Sequence, residues 1–288
     1  MLKMRYAMKK MLSRICGILI LTLCFSMLAP EMRGHAQTAS IKSLKADFTY
    51  KSFDITGDGK KDSFKIKQTG AGSDYYMGCQ LWVNGKVAYQ VKGLYYSTSS
   101  KLITLSNGKK YLYLFNECDD YISPLCAILK YKNGKFVKVV DFMKLFDKHG
   151  SHSYALIRGA NGNNIKVKAF TMSYTLGTSD YELQYVYSGG TLKQKTKAAR
   201  LLGAYYTYNK TRCFTARKAI NVYSSTSLST VAFRLKKGDK IMIDQCRITS
   251  NYMLLQVKFG KKTGWIKAAS EPYKIGGSEL FENIYYVG

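Results

Sequence analysis

The chain reads as all-β, with a hairpin-built N-terminal domain followed by a small antiparallel barrel, and three observations carry that expectation. Asn84-Gly85, Asn107-Gly108, Asn133-Gly134, Asn161-Gly162 and Gly189-Gly190 sit between runs of alternating apolar residues. Such pairs accept the positive φ of tight primed turns, so each predicts a hairpin. The chain holds 24 tyrosines and only three prolines, and tyrosine suits a pleated surface because its ring packs while its hydroxyl stays wet. Helical spacing is confined to two short stretches, residues 141–146 and 198–202.

The first 36 residues read as a targeting segment. Lys3, Arg5, Lys9, Lys10 and Arg14 precede an apolar stretch over residues 15–28, and Gly34-His35-Ala36 offers a small-residue cleavage site before Gln37. That stretch is shorter than the ~20 residues that span a bilayer, which predicts a cleaved secretory signal and no transmembrane anchor afterwards. Cys24 follows the large Leu23, which argues against a lipid-anchored cysteine. The expected location is secreted or at the cell surface.

Charge narrows the partners. Setting aside the six basic residues and one acidic residue of positions 1–36, the 45 Lys+Arg and 18 Asp+Glu become 39 and 17, a net of +22. A field of that sign attracts polyanions, and for an exported protein these are wall teichoic acids, anionic headgroups and extracellular nucleic acid. The other reading is that lysine keeps an aromatic-rich β protein soluble and blocks edge pairing. The expected partner is an anionic cell-wall polymer or a peptidoglycan peptide, with no specific nucleic acid.

From residue 41 to 198 the turn pairs recur every 23 to 28 residues. This suggests an internal hairpin repeat, assembled as a curved meander or as propeller blades. At its head stands Asp54-Ile55-Thr56-Gly57-Asp58-Gly59-Lys60-Lys61-Asp62. Side-chain oxygens at Asp54, Thr56, Asp58 and Asp62, the Lys60 carbonyl and a bend at Gly59 follow the spacing of a calcium loop, because a hard cation needs several oxygens from one coiled segment. The stretch resembles the aspartate-rich loops of FG-GAP/VCBS-type β repeats and EF-hand-like sites, which implies a weak structural calcium. Thr56 replaces the usual Asp or Asn, and Lys65 stands where a bidentate glutamate would close the cage. The alternative is a tight turn that uses Asp and Gly without an ion.

Five cysteines follow the signal: Cys79, Cys118, Cys126, Cys213 and Cys246. In an oxidising exterior, Cys118 with Cys126 across a hairpin and Cys213 with Cys246 within the barrel are plausible pairs, leaving Cys79 over. Catalytic patterns are sparse. His149 and His152 stand in a Gly/Ser loop, and Asp119-Asp120 with Glu117 is an acidic cluster that could serve a hydrolase as acid and base. A cysteine with one of those histidines could act as nucleophile and base, but no local signature supports that pairing. The expectation is a non-enzymatic binding protein. The rivals are a secreted hydrolase acting on wall material and a protein-interaction module whose barrel is only a spacer.

After an expected linker at 199–211, residues 212–273 contain Asn221-Val222, Lys237-Gly238-Asp239 and Gly264-Trp265-Ile266. Their order resembles the bacterial SH3-like domain, in which an Asn-Val strand opens the module, a Lys-Gly-Asp turn precedes the third strand and a Gly-Trp-hydrophobic triplet closes it. Tyr223 stands where that family usually has arginine. The resemblance implies a small barrel that binds cell-wall peptide or glycan, often beside a hydrolase whose signature is missing upstream. Trp265 with Tyr223 and Tyr252 on the rim would form the ligand groove; alternatively, Trp265 plugs the barrel. In the tail, 274–288, the apolar residues 280–287 are suited to dock as an extra strand.

Overall fold

The computed structural model describes residues 38–118, 123–145, 153–173, 175–206, 209–248, 253–268, 279–282 and 284–286; the expected signal lies outside them. In chain order the strands are β1 (Ser40–Leu44), β2 (Thr49–Phe53), β3 (Asp62–Thr69), β4 (Tyr76–Val83), β5 (Lys86–Tyr95), β6 (Ser97–Thr104), β7 (Lys110–Glu117), β8 (Leu125–Lys132) and β9 (Lys135–Asp141). They continue with β10 (Ser153–Asn161), β11 (Asn164–Ser173), β12 (Gly177–Ser188), β13 (Thr191–Gln194), β14 (Ala198–Tyr206), β15 (Asn209–Thr211) and β16 (Cys213–Thr215). The last five are β17 (Ile220–Tyr223), β18 (Val231–Leu235), β19 (Lys240–Ile248), β20 (Met253–Phe259) and β21 (Lys262–Lys267). The protein is all-β: no α-helix occurs among the described residues, and the helical spacing at 141–146 yields one 3-10 turn, Phe142–Lys144.

Three antiparallel sheets form layers, ordered β1-β6-β7-β8-β9, β2-β3-β4-β5, and a twelve-stranded sheet whose path runs β10-β11-β12-β14-β19-β20-β21-β17-β18. The first is the middle layer. In β7 the run Tyr111-Leu112-Tyr113-Leu114-Phe115 is apolar at every position because both faces are covered. Tyr111, Tyr113 and Phe115 pack towards the twelve-stranded sheet, and Leu112 and Leu114 pack towards Phe64, Ile66 and Leu81 of the four-stranded one.

The turn pairs form as expected. Asn84 and Asn133 take φ of 49° and 50°, and the glycines after them 78° and 80°, closing β4–β5 and β8–β9. The hairpins do not run on in one meander, however. β1 pairs with β6, bringing Leu44 opposite Ser100, so β2–β5 is a self-contained sheet set between two partners. Closing a loop of that length costs little more than a short one, since the entropy grows only with the logarithm of its length. None of the three sheets closes on itself.

The C-terminal strands correct three expectations. The segment 199–211 is no linker: β14 pairs with β12 through Glu182↔Arg200 and with β19 through Arg200↔Gln245. Nor is 198–202 helical, because the two flanking ladders and the inward alternation of Ala199 and Leu201 outweigh the helix preference of Ala-Ala-Arg-Leu-Leu. The barrel is also open. β20 occupies one edge of β19, while β14 and β16 occupy the other, so no edge is left for the β18 ladder that would close it.

Candidate ligand-binding face

Side-chain alternation decides what Trp265 does. Ile266 is 2% exposed and joins Val222, Leu235, Ile243 and Val257 in the apolar interior. Trp265 points to the opposite face and is half-buried, as is Tyr223, its partner across the β17–β21 ladder. The plugging is done by Ile266, and the tryptophan belongs to an outer surface. Gly264 makes this pairing possible: a Cβ there would lie 2.6 Å from the Tyr223 carbonyl oxygen and 2.7 Å from Val222 Cγ1. Tyr252, the third residue expected on this rim, lies outside the described residues.

On its other side Trp265 faces Gln256 of β20. A bulge in β19, between Ile243 and Cys246, sets both Asp244 and Gln245 against Gln256, and Gln245 Nε2 donates to Gln256 Oε1 at 3.0 Å. Asp244 accepts from Lys258 Nζ and Arg212 Nη2, each at 2.8 Å. The Lys258 ammonium holds the Asp244 carboxyl below its usual value; partial burial opposes this and Arg212 adds to it. Arg247 Nη1 reaches Thr226 Oγ1 at 3.4 Å. The result is an indole and a phenol side by side, next to an amide pair and basic side chains. Aromatic faces stack on sugar rings or planar groups, amides pair with hydroxyls, and ammonium and guanidinium groups meet acids. Sequence reading found Tyr223 and Trp265 but missed Gln245 and Gln256, whose meeting depends on a bulge that no residue pattern announced.

The carboxylates of the aspartate-rich loop accept hydrogen bonds from its own backbone and neighbours. Asp62, 3% exposed, accepts with Oδ2 from the backbone N–H groups of Ile55 at 2.6 Å and Thr56 at 2.8 Å, and with Oδ1 from Asn84 Nδ2 at 2.7 Å and the Thr56 hydroxyl at 3.4 Å. Asp54 accepts from Gly57 and Gly59, Asp58 accepts from the Lys60 N–H, and Lys110 Nζ stands 3.8 Å from Asp54. Among the described residues no three acidic, thiol or imidazole groups converge. Asp54, Thr56, Asp58, Lys60 and Asp62 form a hydrogen-bonded turn, and Asn84 ties this β2–β3 turn to the β4–β5 hairpin.

Asp62→Ala is therefore expected to cost about 2–3 kcal/mol, because it strands the buried Ile55 N–H, the part-buried Thr56 N–H and the Asn84 amide; urea denaturation measures it. Burial pushes the Asp62 carboxyl up, but the N–H groups of Thr56 and Ile55, the Asn84 amide and the Thr56 hydroxyl together bring it below its ordinary value. Its stabilisation is complete above the unfolded-state value and is lost as pH falls through the lower folded-state value. The wild-type protein should thus lose more stability below about pH 4 than the Ala variant, which keeps the smaller limb due to Asp244.

The expected disulfides Cys118–Cys126 and Cys213–Cys246 are not formed. The β7–β8 register sets Phe115 opposite Cys126. Carried on, it sets Cys118 opposite Ser123, with Cys126 three residues away on the other face: Cys126 lies in the core shared with the twelve-stranded sheet, Cys118 against the other core. Cys213 pairs with Met242, four residues from Cys246, or about 13 Å along a strand, far beyond the ~5.5–6 Å Cα separation of a disulfide. Burial pushes the Cys79 and Cys126 thiols up to about 12 and raises Cys246 as well, the opposite of nucleophile activation. Glu117 accepts from Ser97 Oγ at 2.7 Å; Asp119, Asp120, His149 and His152 lie outside the described residues. No family model, no curated protein and no solved structure matches this chain.

Proposed function

We propose that the protein is an exported, non-catalytic binder of anionic cell-envelope polymer, and that its C-terminal module is an opened-out variant of the bacterial SH3-like fold. The observation that carries this reading is the outer face of β17, β21, β20 and β19, where Tyr223, Trp265 and Gln256 stand in one cross-strand row. Residues 210–272 hold 13 Lys/Arg against Asp239, Asp244 and Glu271. The excess supplies long-range attraction to a polyanion, and the aromatic row supplies contact that attraction alone lacks.

Retention on purified cell-wall material is the test. The protein should bind at low ionic strength and elute as salt rises. Trp265→Ala, with an unchanged melting temperature, should weaken retention by about fivefold or more, as expected when an aromatic anchor worth at least 1 kcal/mol is removed. Absence of retention at low salt would overturn the proposal.

A further inference from the structure

The four-stranded sheet turns one face to the core and the other to solvent, and the solvent face carries a grid set by register. Lys65, Trp82 and Val87 are cross-strand neighbours in one row, Lys67, Gln80 and Gln90 in the next, and Thr69, Gly78 and Lys92 in the third. Strand and row spacings make this a patch of roughly 10 by 13 Å. Phe64, Ile66, Cys79 and Leu81, between these positions, fill the core. None of the nine grid residues carries a carboxylate. Gly78 keeps the third row low: a Cβ there would meet Thr69 Oγ1 at 2.8 Å and the Val91 carbonyl oxygen at 3.0 Å.

The polar groups of the grid are oriented. Trp82 Nε1 donates to Gln80 Oε1 at 3.1 Å, and Gln80 Nε2 donates to Gln90 Oε1 at 3.4 Å. This fixes the indole and leaves the Gln90 amide donors at the end of the relay. Lys67 Nζ stands 5.9 Å from the Trp82 ring centroid. The chain has two tryptophans, and each is half-buried on an outer sheet face beside a cross-strand Gln–Gln hydrogen bond.

We infer that this face is a second binding platform, and that its ligand is an acidic polysaccharide of hexopyranose rings. The indole supplies the stacking plane for a ring, the oriented glutamine amides pair with hydroxyls, and Lys65, Lys67 and Lys92 meet the acid groups. A polyanion without rings would use the lysines and ignore the indole; a neutral glycan would do the reverse. The inference rests on the reading of the protein as a binder of envelope polymer and gives it a second, separate site and a ligand class.

The test uses the whole mature chain and three probes: hyaluronan, a linear glycan with a uronic acid in every repeat; neutral chitin oligosaccharides; and inorganic polyphosphate. Trp82→Ala should weaken hyaluronan binding by about fivefold or more and change polyphosphate binding less than twofold, and Lys67→Glu should weaken both. Hyaluronan should bind more tightly than the chitin oligosaccharides. Gln90 is exposed, so Gln90→Ala keeps the fold and should cost hyaluronan affinity about threefold, roughly the loss of one net hydrogen bond. Wild-type hyaluronan affinity in both Trp82→Ala and Gln90→Ala would overturn the inference, as would equal dependence of polyphosphate and hyaluronan on Trp82. If wall retention falls in Trp265→Ala but not in Trp82→Ala, this platform is refuted while the binder reading stands; if wild-type protein is not retained at all, the binder reading itself fails.

Discussion

Asp180→Ala is expected to lower stability by about 3–5 kcal/mol, the range for removing one partner of a buried ion pair. The Asp180 carboxylate is 1% exposed, and its Oδ2 accepts from Lys168 Nζ at 2.9 Å and from Lys210 Nζ. The two lysines come from β11 and β15, so a single carboxylate on β12 holds cations from two other strands. Each ammonium also lies over an aromatic ring, Phe170 at 4.4 Å and Tyr205 at 4.5 Å. Without Asp180 the two cations remain close together, partly desolvated and repelling one another.

Urea titration gives the magnitude, and its pH dependence tests the cause. Desolvation lowers the Lys168 ammonium below its ordinary value, while the Asp180 hydrogen bond and charge push it back up. Losing Asp180 lowers it further. The unfolded chain then binds more protons than the folded one between that lowered value and the ordinary lysine range, so the variant should recover stability as pH rises through this window. A triple variant, Asp180→Leu with Lys168→Met and Lys210→Met, should be close to wild type, since apolar residues of similar volume replace buried ion networks at little cost. A loss under 1 kcal/mol for Asp180→Ala would show that the carboxylate is not holding these strands.

Phe281→Ala is the second large effect, at about 3–5 kcal/mol for a buried phenylalanine. Phe281 is 1% exposed, its ring centroid lies 5.4 Å from that of Phe214, and it bridges to Ala216. Around it, the Arg217 N–H donates to the Leu280 carbonyl and the Glu282 N–H to the Thr215 carbonyl, each at 2.9 Å, and Arg217 pairs with Glu279. Nearer the C-terminus, the Thr178 N–H donates to the Tyr285 carbonyl at 2.9 Å. Among its described residues the tail thus docks through the Ala216–Phe281 bridge and these backbone bonds. The buried Phe281 ring is the aromatic anchor of this attachment. Calorimetry should show a melting temperature lower by about 10 °C, and proteolysis should cut first within the released tail.

The features legible in the sequence were local. Asn-Gly and Gly-Gly pairs specify their own backbone, so the hairpins they close were predictable; Gly264-Trp265-Ile266 announced a strand but left open whether Trp265 faces in or out. The expectations that failed depended on distant partners. The union of β1 with β6, and of β14 with β12 and β19, is decided by packing among elements far apart in the chain. The Cys118–Cys126 pairing failed on parity, because three residues of offset reverse the face, and the Cys213–Cys246 pairing on distance along β19. The Trp82–Gln80–Gln90 grid was invisible for a related reason: its members are neighbours only once three strands are in register. The aspartate loop was legible as a turn, but the same spacing serves carboxylates that accept from backbone N–H groups and carboxylates that hold an ion.

Because β14 is shared between β12 on one side and β19 on the other, it sets how the molecule can be divided. A fragment begun at residue 212 would keep β20 on one edge of β19 but leave Gln245, Cys246 and Arg247 without β14 on the other, an exposed edge that invites pairing with other copies. The segment from 212 onward is therefore a graft fed from its neighbour rather than a bead on a string. Shuffling it into another protein would require carrying Ala198–Tyr206 along.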